Sequence, residues 1–386
     1  DEYLMIPGKL QQKEDHFLLN FTTELWETPY LDKVYLLAID HPDSVEVVID
    51  EKFSPPPYPS SRIYNFTEKH IPIFAEDHRG NNVLDLIKMQ DKKYLSNFLM
   101  DKFQGVSELH DLILGFDNLI EEDSLFLFLH GWLFPTDASI NVNISQSKIM
   151  NSIPPYIEVI DENGNWSVIE ENIFFPKGKN KTMVVNLTDK ILSKDSRIRI
   201  RTTMQIYWDH IFITSSASGN NFITQKLSPV FADLHYRGFS EISRENYGSP
   251  HIPDYYNVTK GQKWRDLIGN YTRYGDVLPL LLESDNKYVI MNAGDEINLK
   301  FNASLLPKIK EGWTRSFLFY NDGWLKDGDL NTAQGQTVEP LPFHGMESYP
   351  YEEQNFPTNQ YYLNYQKEYN SRVITTDGFK NYLREK

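Results

Sequence analysis

Short runs of β-branched and aromatic residues recur along the chain, with turn-forming residues between them. The runs are 34–39, 45–49, 125–129, 156–160, 166–169, 183–185, 198–201, 206–213, 297–301 and 316–320. Residues 198–201 alternate strictly between apolar and charged side chains, which is typical of a strand with one face in water. Because helical patterns between the runs are sparse, the runs predict antiparallel sheets packed as sandwiches.

The C-terminal tail follows a different pattern. Tyrosines recur at helical spacing over residues 361–369. Thr376 or Asp377 can cap a last helix whose apolar face consists of Phe379, Tyr382 and Leu383. The sequence therefore predicts an all-β protein of tandem antiparallel β-sandwich modules with a short helical C-terminal tail.

Three sequence patterns occur twice and indicate an internal duplication. Residues 80–94 resemble 275–288, the pair Gly131-Trp132 resembles Gly323-Trp324, and Tyr30-x-Asp32 resembles Tyr207-x-Asp209. The last pattern closes the sandwich of the middle copy, and the Gly-Trp strand opens it.

This order divides the chain into six segments. They are the closing half of a sandwich (1–53), a connector (54–107), a complete sandwich (108–215), a connector that repeats the first (216–294), the opening half of a sandwich (295–345) and an aromatic-rich helical tail (346–386). An isolated half exposes an apolar face and open strand edges. We expect the two halves to pair within the chain. The alternatives are a head-to-tail filament, in which one half completes the next subunit, and a chain cut short.

Composition narrows the function. Of the 386 residues 40% are hydrophobic, and the net charge of −16 argues against nucleic acid and anionic lipid as partners. No apolar run is long enough to insert into a membrane. The absence of cysteine excludes disulfides, thiol catalysis and zinc–thiolate sites. The start Asp1-Glu2-Tyr3 suggests a processed or excised piece.

Glycosylation sequons are in excess and favour an extracellular or cell-surface glycoprotein. They are Asn20, Asn65, Asn143, Asn165, Asn180, Asn186, Asn257, Asn270 and Asn302. The alternative is that an Asn- and Thr-rich β surface forms sequons by chance.

Oxygen side chains at Asp327, Asp329 and Asn331 have the alternate spacing of calcium loops, with Glu339 as a more distant candidate. Ca²⁺ is therefore the one cofactor that the sequence raises. The loop lacks the remaining positions of an EF-hand, and the alternative is a polar loop with Asp-Gly turns.

No catalytic residues are predicted. His130 and His344 are the two histidines of interest, and each is more typical of a hydrogen-bonded structural side chain. Asp32 and Asp209 occupy equivalent repeat positions, which favours a repeated structural role such as pinning a loop. The sequence has no nucleophile elbow, phosphate loop or dinucleotide glycine pattern.

Aromatic residues near strand ends suggest a carbohydrate site, since sugar rings stack on such side chains. The candidates are Trp324, Tyr207, Trp132 and Asp209, the last as a hydroxyl acceptor. For Trp132 the alternative is a core aromatic residue.

Several longer motifs resemble a known family. They are HGWLFPTDASIN, FPKGKNKTMVVNLT, IRTTMQIYWD, GWTRSFLFYNDGWLKDGDLNT and VEPLPFHGMESYPY. They are similar to the C-terminal region of bacterial FG-GAP/VCBS repeat proteins of the ASPIC/UnbV, cartilage-acidic-protein-like type. The resemblance implies an exported protein, but this chain lacks the family's calcium-binding propeller repeats. Residues 108–215 also resemble galactose-binding-like, jelly-roll sandwiches.

Together these patterns predict a non-catalytic extracellular structural or adhesive protein. Its predicted partners are other surface proteins, glycans or, in the alternative where halves pair between subunits, further copies of the chain joined head to tail in a filament. The alternatives are a carbohydrate-binding surface module and a polysaccharide-acting hydrolase that uses Asp or His near the Gly-Trp strands.

Overall fold

The computed structural model describes residues 2–56, 58, 62–117, 119, 124–149, 151–215, 219, 221–244, 249–352, 356 and 358–385. The strands before residue 150 are β1 Glu2–Met5, β2 Gln12–Lys13, β3 His16–Thr22, β4 Glu27–Pro42, β5 Glu46–Ile49, β6 Lys52–Phe53, β7 Ile63–Phe66, β8 Phe74–Asp77, β9 Val106–Gly115 and β10 Phe126–Leu133. Those that follow are β11 Tyr156–Ile160, β12 Trp166–Glu170, β13 Phe175–Pro176, β14 Lys181–Asn186, β15 Arg197–Met204, β16 Ile206–Thr214, β17 Ile223–Leu227, β18 Pro229–Tyr236, β19 Phe239–Ser243, β20 Ile252–Thr259, β21 Gly269–Tyr271, β22 Gly275–Asp276, β23 Val289–Ile290, β24 Asp295–Asn302, β25 Trp313–Asp327 and β26 Arg372–Ile374.

Helices are short and lie mainly in the tail, as the sequence predicts. The α-helices are α1 Ala138–Gln146, α2 Gln360–Tyr369 and α3 Asp377–Glu385. The side chain of Tyr382, on the predicted apolar face of α3, lies outside the described residues. The protein is thus all-β with a short helical tail.

The central sandwich packs a five-stranded sheet on a three-stranded sheet. The larger sheet has the order β12-β11-β15-β9-β8 and the smaller one β14-β10-β16, and every strand pair is antiparallel. Apolar side chains from both sheets, such as Leu127, Ile198 and Ile211, form one core between them.

The terminal sandwich is built from the two ends of the chain. One sheet has the order β1-β25-β4-β17, with β23 also on β4, and the other has the order β2-β3-β24-β18-β22. The long strands β4 and β25 pair antiparallel from Glu27 with Asp327 to Pro42 with Trp313. The halves predicted for the two ends therefore close on each other within one chain.

The predicted connectors are wrong in one respect, because both contribute strands to the sandwiches. The segment 54–107 supplies β8 to the central five-stranded sheet, and 216–294 supplies β17, β18, β22 and β23 to the terminal sandwich. Without these strands the edges of β9, β24 and β4 would lose their hydrogen-bonding partners.

The duplication is visible in the strand pairing. The pairs β10·β16, β10·β14, β8·β9 and β15·β9 of the central sandwich correspond to β25·β4, β25·β1, β18·β24 and β3·β24 of the terminal one. In the terminal copy, however, β1, β3 and β4 precede β18, β24 and β25 in the chain. The terminal sandwich is therefore a circular permutation of the central one.

A bridging hairpin, formed by β5 and β7, lies between the two sandwiches. Val47 and Ile49 pack on the outer face of β4 and β25, whereas Val48 and Phe66 pack on the outer face of the central three-stranded sheet. Because side chains alternate along a strand, one hairpin serves both sandwiches.

A buried carboxylate strengthens this junction. Glu51 accepts hydrogen bonds from the Met5 N–H at 3.0 Å, the Thr182 N–H at 3.1 Å and the Lys181 ammonium at 3.1 Å. Met5 belongs to the terminal sandwich and the other two residues to the central one. Apolar packing and a buried ion pair thus join the sandwiches into one body.

Candidate functional site

Each sandwich has a β-bulge with an aspartate as the extra residue. Asp322 pairs with Lys33 and Gly323 with Leu31, which leaves Asp32 unpaired. In the central sandwich His130 pairs with His210 and Gly131 with Trp208, which leaves Asp209 unpaired. A bulge bends its strand and re-aims the side chain of the extra residue.

The bulge explains the repeated Gly-Trp motif. A Cβ atom on Gly323 would lie 2.1 Å from the Tyr30 carbonyl oxygen, and one on Gly131 would lie 2.8 Å from the Tyr207 carbonyl oxygen. Only glycine lets the two strands approach this closely.

Asp32 holds a loop and a histidine on the same carboxylate oxygen. Its Oδ2 accepts the Asn286 N–H at 3.0 Å and lies 2.7 Å from His344 Nε2. The side chain is 0% exposed, and Oδ1 has no hydrogen-bonding partner among the residues that the structure describes. Burial raises the pKa of Asp32, while the bonds from Asn286 and His344 act in the opposite direction.

Asp322 and His344 complete a cluster around this carboxylate, which we call the bulge site. His344 Nε2 lies 3.7 Å from Asp322 Oδ2, which also accepts the Ser284 hydroxyl at 2.5 Å. The backbone N–H of His344 donates to Asn286 Oδ1 at 2.7 Å. One potential ligand atom from each of Asp32, Asp322 and His344 lies within 4.8 Å of the others.

The bulge site is open to solvent on one side. The His344 side chain is 36% exposed, and its ring lies 6.3 Å from that of Tyr288. Trp324, the residue after the bulge glycine, is 39% exposed. An external molecule can therefore reach His344 without rearrangement of the core.

The central copy keeps the aspartate but not the cluster. Asp209 Oδ1 accepts the N–H groups of Asp91 at 3.2 Å and Lys92 at 2.9 Å, and within the described part of the chain its Oδ2 is unpartnered. Burial raises the pKa of Asp209 to about 6. His130 replaces Asp322, and in the described part of the chain only the terminal copy gathers three potential ligands.

The expectation that Asp32 and Asp209 pin a loop agrees with this geometry. Lys92 and Asn286, the residues whose N–H groups they accept, both have a φ of 66°. The bulge aspartates thus fix two loops in a conformation that few residues adopt.

A second candidate is a cavity of about 330 Å³ between the bridging hairpin and the central sandwich, lined among others by Lys69, Lys88, His130 and His210. Burial lowers the pKa of His130 and of His210 to about 4, so both are neutral at pH 7. His130 Nδ1 lies 2.9 Å from the Thr182 hydroxyl and its Nε2 lies 3.0 Å from the Gln90 amide. His130 is therefore a hydrogen-bonded structural histidine.

The predicted calcium loop has another role. Asp327 Oδ2 accepts the Ala138 N–H at 3.3 Å, and Asp329 Oδ1 accepts the Ser139 hydroxyl at 2.7 Å. Asn331 donates to the same hydroxyl at 2.6 Å. These side chains therefore hold the loop against the first turn of α1. Asp327, Asp329 and Asn331 all contact α1 directly, and their assignment as calcium ligands stays a prediction.

The predicted carbohydrate residues do not form one exposed surface. Trp132 is 6% exposed, Tyr207 2% and Asp209 1%. A sugar therefore cannot reach the two rings or the carboxylate. Trp132 packs edge-on against Tyr94, as expected for a core residue. Trp324 alone of the four can stack on a ligand.

The sequons are mostly accessible. Asn20, Asn143, Asn165, Asn180, Asn186, Asn257 and Asn270 are exposed, and Asn302 is partly exposed. Asn65 is buried and its amide donates to the Gly219 carbonyl at 2.5 Å, so the prediction of a glycan there is wrong for the folded chain.

Sequence reasoning picked out His344 but missed Asp322. A signal was present, since Asp322 precedes Gly-Trp where His130 does in the other copy. That Asp32 meets residues about 300 positions later follows only from the pairing of the chain ends.

Comparison with protein-family models, with curated proteins and with solved structures finds no match to this chain. The resemblance to the C-terminal region of FG-GAP/VCBS proteins therefore stays a prediction. No described helix combines the length and the apolar character needed to cross a membrane.

Proposed function

We propose that this chain is a non-catalytic structural and adhesive protein of the cell exterior, in which the two sandwiches act as one rigid spacer. The observation that carries this is the bridging hairpin, which buries one face against each sandwich. A hinge between domains would need a small, polar contact instead. A spacer that does not bend transmits force and keeps binding surfaces at a fixed separation.

Accessible sequons support the location outside the cell. Seven of the sequon asparagines are exposed on the surface of the protein. Each of them can accept a glycan while the chain stays folded. Expression in a glycosylating host, followed by intact-mass measurement, tests whether these sites are modified.

Exchange of sandwich halves between subunits is not part of this function. The β4·β25 pairing already satisfies both ends within the chain. We therefore expect a monomer, whose adhesive contacts lie on completed surfaces.

Electron–electron distance measurement tests the rigid spacer. The chain has no cysteine, so nitroxide labels on Lys9→Cys and Asn163→Cys attach at two exposed points, one on each sandwich. We expect a single narrow distance distribution. The substitution Val48→Asp, which places a charge in the bridging hairpin, should broaden it, whereas Val168→Asp on an exposed strand should not. A broad distribution in the unsubstituted chain contradicts the proposal.

Adhesion under flow tests the function itself. Beads coated with the chain would be passed over polysaccharide, protein and chain-coated surfaces. We expect retention on at least one surface, with detachment of Val48→Asp beads at several-fold lower shear and unchanged retention of Val168→Asp beads. Retention no better than that of bare beads on every surface, or turnover of a polysaccharide, would reject it.

Carbohydrate binding is a second candidate, favoured by the exposed Trp324, which lies two residues after Asp322 of the bulge site in β25. An aromatic face with a nearby acceptor is a common way to hold a sugar. We expect glycan-array binding to fall at least tenfold in Trp324→Ala and to persist in Tyr256→Ala, which removes a fully exposed ring elsewhere. Equal loss in both variants would count against this candidate.

A further inference from the structure

We infer that Asp32, Asp322 and His344 form a binding site for one divalent transition-metal cation, with Zn²⁺ the best match. Two carboxylates and an imidazole offer oxygen and nitrogen ligands, which suit Zn²⁺ and its first-row neighbours better than the all-oxygen shell of Ca²⁺. The three ligand atoms already lie within 4.8 Å of one another. Small side-chain shifts would bring them to bonding distances of about 2 Å from a central ion.

The unpartnered oxygen of Asp32 is the second observation. A buried carboxylate oxygen without a donor is costly, and the Asp32 side chain is 0% exposed. The equivalent Asp209 oxygen is also unpartnered, so the bulge itself creates the deficit. Among the described residues, only the bulge aspartate of the terminal sandwich is grouped with a second carboxylate and a histidine.

The local charge calls for a cation. Asp32 and Asp322 form ion pairs with His344 and, among the described residues, with no lysine or arginine. Their other donors are neutral: the Asn286 and Asp285 N–H groups on Asp32 and the Ser284 hydroxyl on Asp322. A divalent ion would balance both carboxylates, and the neutral donors would orient them.

The site also retains an accessible side. Because His344 lies at the surface, an ion could enter from solvent and keep water on its open positions. This inference does not depend on the adhesive function, since it concerns only the bulge site of the terminal sandwich.

Zinc titration of the chelator-treated full chain tests the site. Native mass measurement and calorimetry should show one equivalent of Zn²⁺ bound, with Ca²⁺ at least 100-fold weaker. Asp322→Asn and His344→Gln should each weaken Zn²⁺ binding at least 100-fold. Two variants serve as matched controls. Asp209→Asn changes the other bulge aspartate. His235→Ala removes a histidine that lies between two carboxylates, with Nδ1 3.4 Å from Asp233 and Nε2 3.3 Å from Glu296.

Both controls should bind Zn²⁺ as the unsubstituted chain does. The inference is overturned if the chelator-treated chain binds no stoichiometric Zn²⁺, or if His344→Gln retains full affinity. If a variant fails to fold, X-ray absorption spectroscopy of the zinc-loaded unsubstituted chain tests the ligand set directly. A first shell of one imidazole nitrogen and carboxylate oxygens supports the site, and a shell with more than one imidazole overturns it.

Discussion

At the scale of single residues, the bulge glycines and aspartates do most to define the candidate site. Gly323 lets β25 approach β4, and Asp32 then turns out of the strand ladder toward the loop and His344. Sequence patterns showed that Tyr-x-Asp and Gly-Trp recur. They did not show that the two patterns face each other in both copies, because cross-strand register is a tertiary property.

Gly323→Ala should lower the free energy of unfolding by about 3 kcal/mol, because the new Cβ collides with the Tyr30 carbonyl oxygen. Gly345→Ala, whose Cβ would meet only the Phe343 ring at 3.4 Å, should change it much less. Urea unfolding of the two variants checks this, and equal effects would mean that the bulge geometry is incorrect.

Glu27 should make stability pH-dependent. Burial, with help from Asp327, raises the pKa of Glu27 to about 7, so the folded chain holds a proton that the unfolded chain releases at lower pH. Its stabilising contribution is present below the unfolded pKa and is lost as the pH rises through about 7. The free energy of unfolding of Glu27→Gln, relative to that of the original chain, should therefore rise by about 3 kcal/mol between pH 4.5 and pH 8.

Thermal unfolding across this pH range gives the measurement, with the exposed Glu162→Gln as the control. A constant difference between Glu27→Gln and the original chain would contradict the buried position of Glu27.

At the scale of elements, the bridging hairpin could be predicted only in part from the sequence. Residues 45–49 are an evident strand, but the pattern Val-Glu-Val-Val-Ile does not reveal that Val47 and Ile49 pack on one sandwich and Val48 on the other. The connector 216–294 was misread because the strands β17 and β18 carry polar side chains such as Gln225 and Asp233 between apolar ones. Their place in the sheets comes from partners far away in the chain.

Glu51→Ala should uncouple the two sandwiches at this element. It removes three hydrogen bonds and leaves the Lys181 ammonium without its carboxylate, at a cost of about 3 kcal/mol. Hydrogen exchange should accelerate at the amides of Met5 and Thr182. Glu46→Ala, which breaks an exposed pair with Lys69, should leave both amides protected. Protection of both in Glu51→Ala would show that the junction does not depend on this carboxylate.

At the scale of the whole molecule, the central sandwich is continuous in the chain and the terminal one is not. Fragment 43–215 should therefore fold and unfold cooperatively alone, whereas fragment 216–386 lacks β1, β3 and β4 and should aggregate. A permuted chain that joins 216–386 through a linker to 1–42 should restore a folded sandwich. Circular dichroism and calorimetry of the three chains check this, and a cooperatively folded 216–386 fragment would contradict it.

The sandwich class and the duplication could be predicted because strand and repeat patterns are local. The sequence could not show whether the two halves pair within one chain or between chains, since both arrangements bury the same apolar faces. The bulge site inherits this ambiguity. Asp32 comes from one end of the chain, and Asp322 and His344 come from the other.

Cysteine cross-linking tests this central pairing most directly. Tyr35 and Tyr320 are register partners on β4 and β25, with ring centroids 4.3 Å apart, and the chain has no other cysteine to interfere. Oxidation of the Tyr35→Cys, Tyr320→Cys double variant at low concentration should give a cross-linked monomer of altered mobility. Disulfide-linked dimers or ladders, or a dimer from a mixture of the two single variants, would show instead that the ends pair between chains.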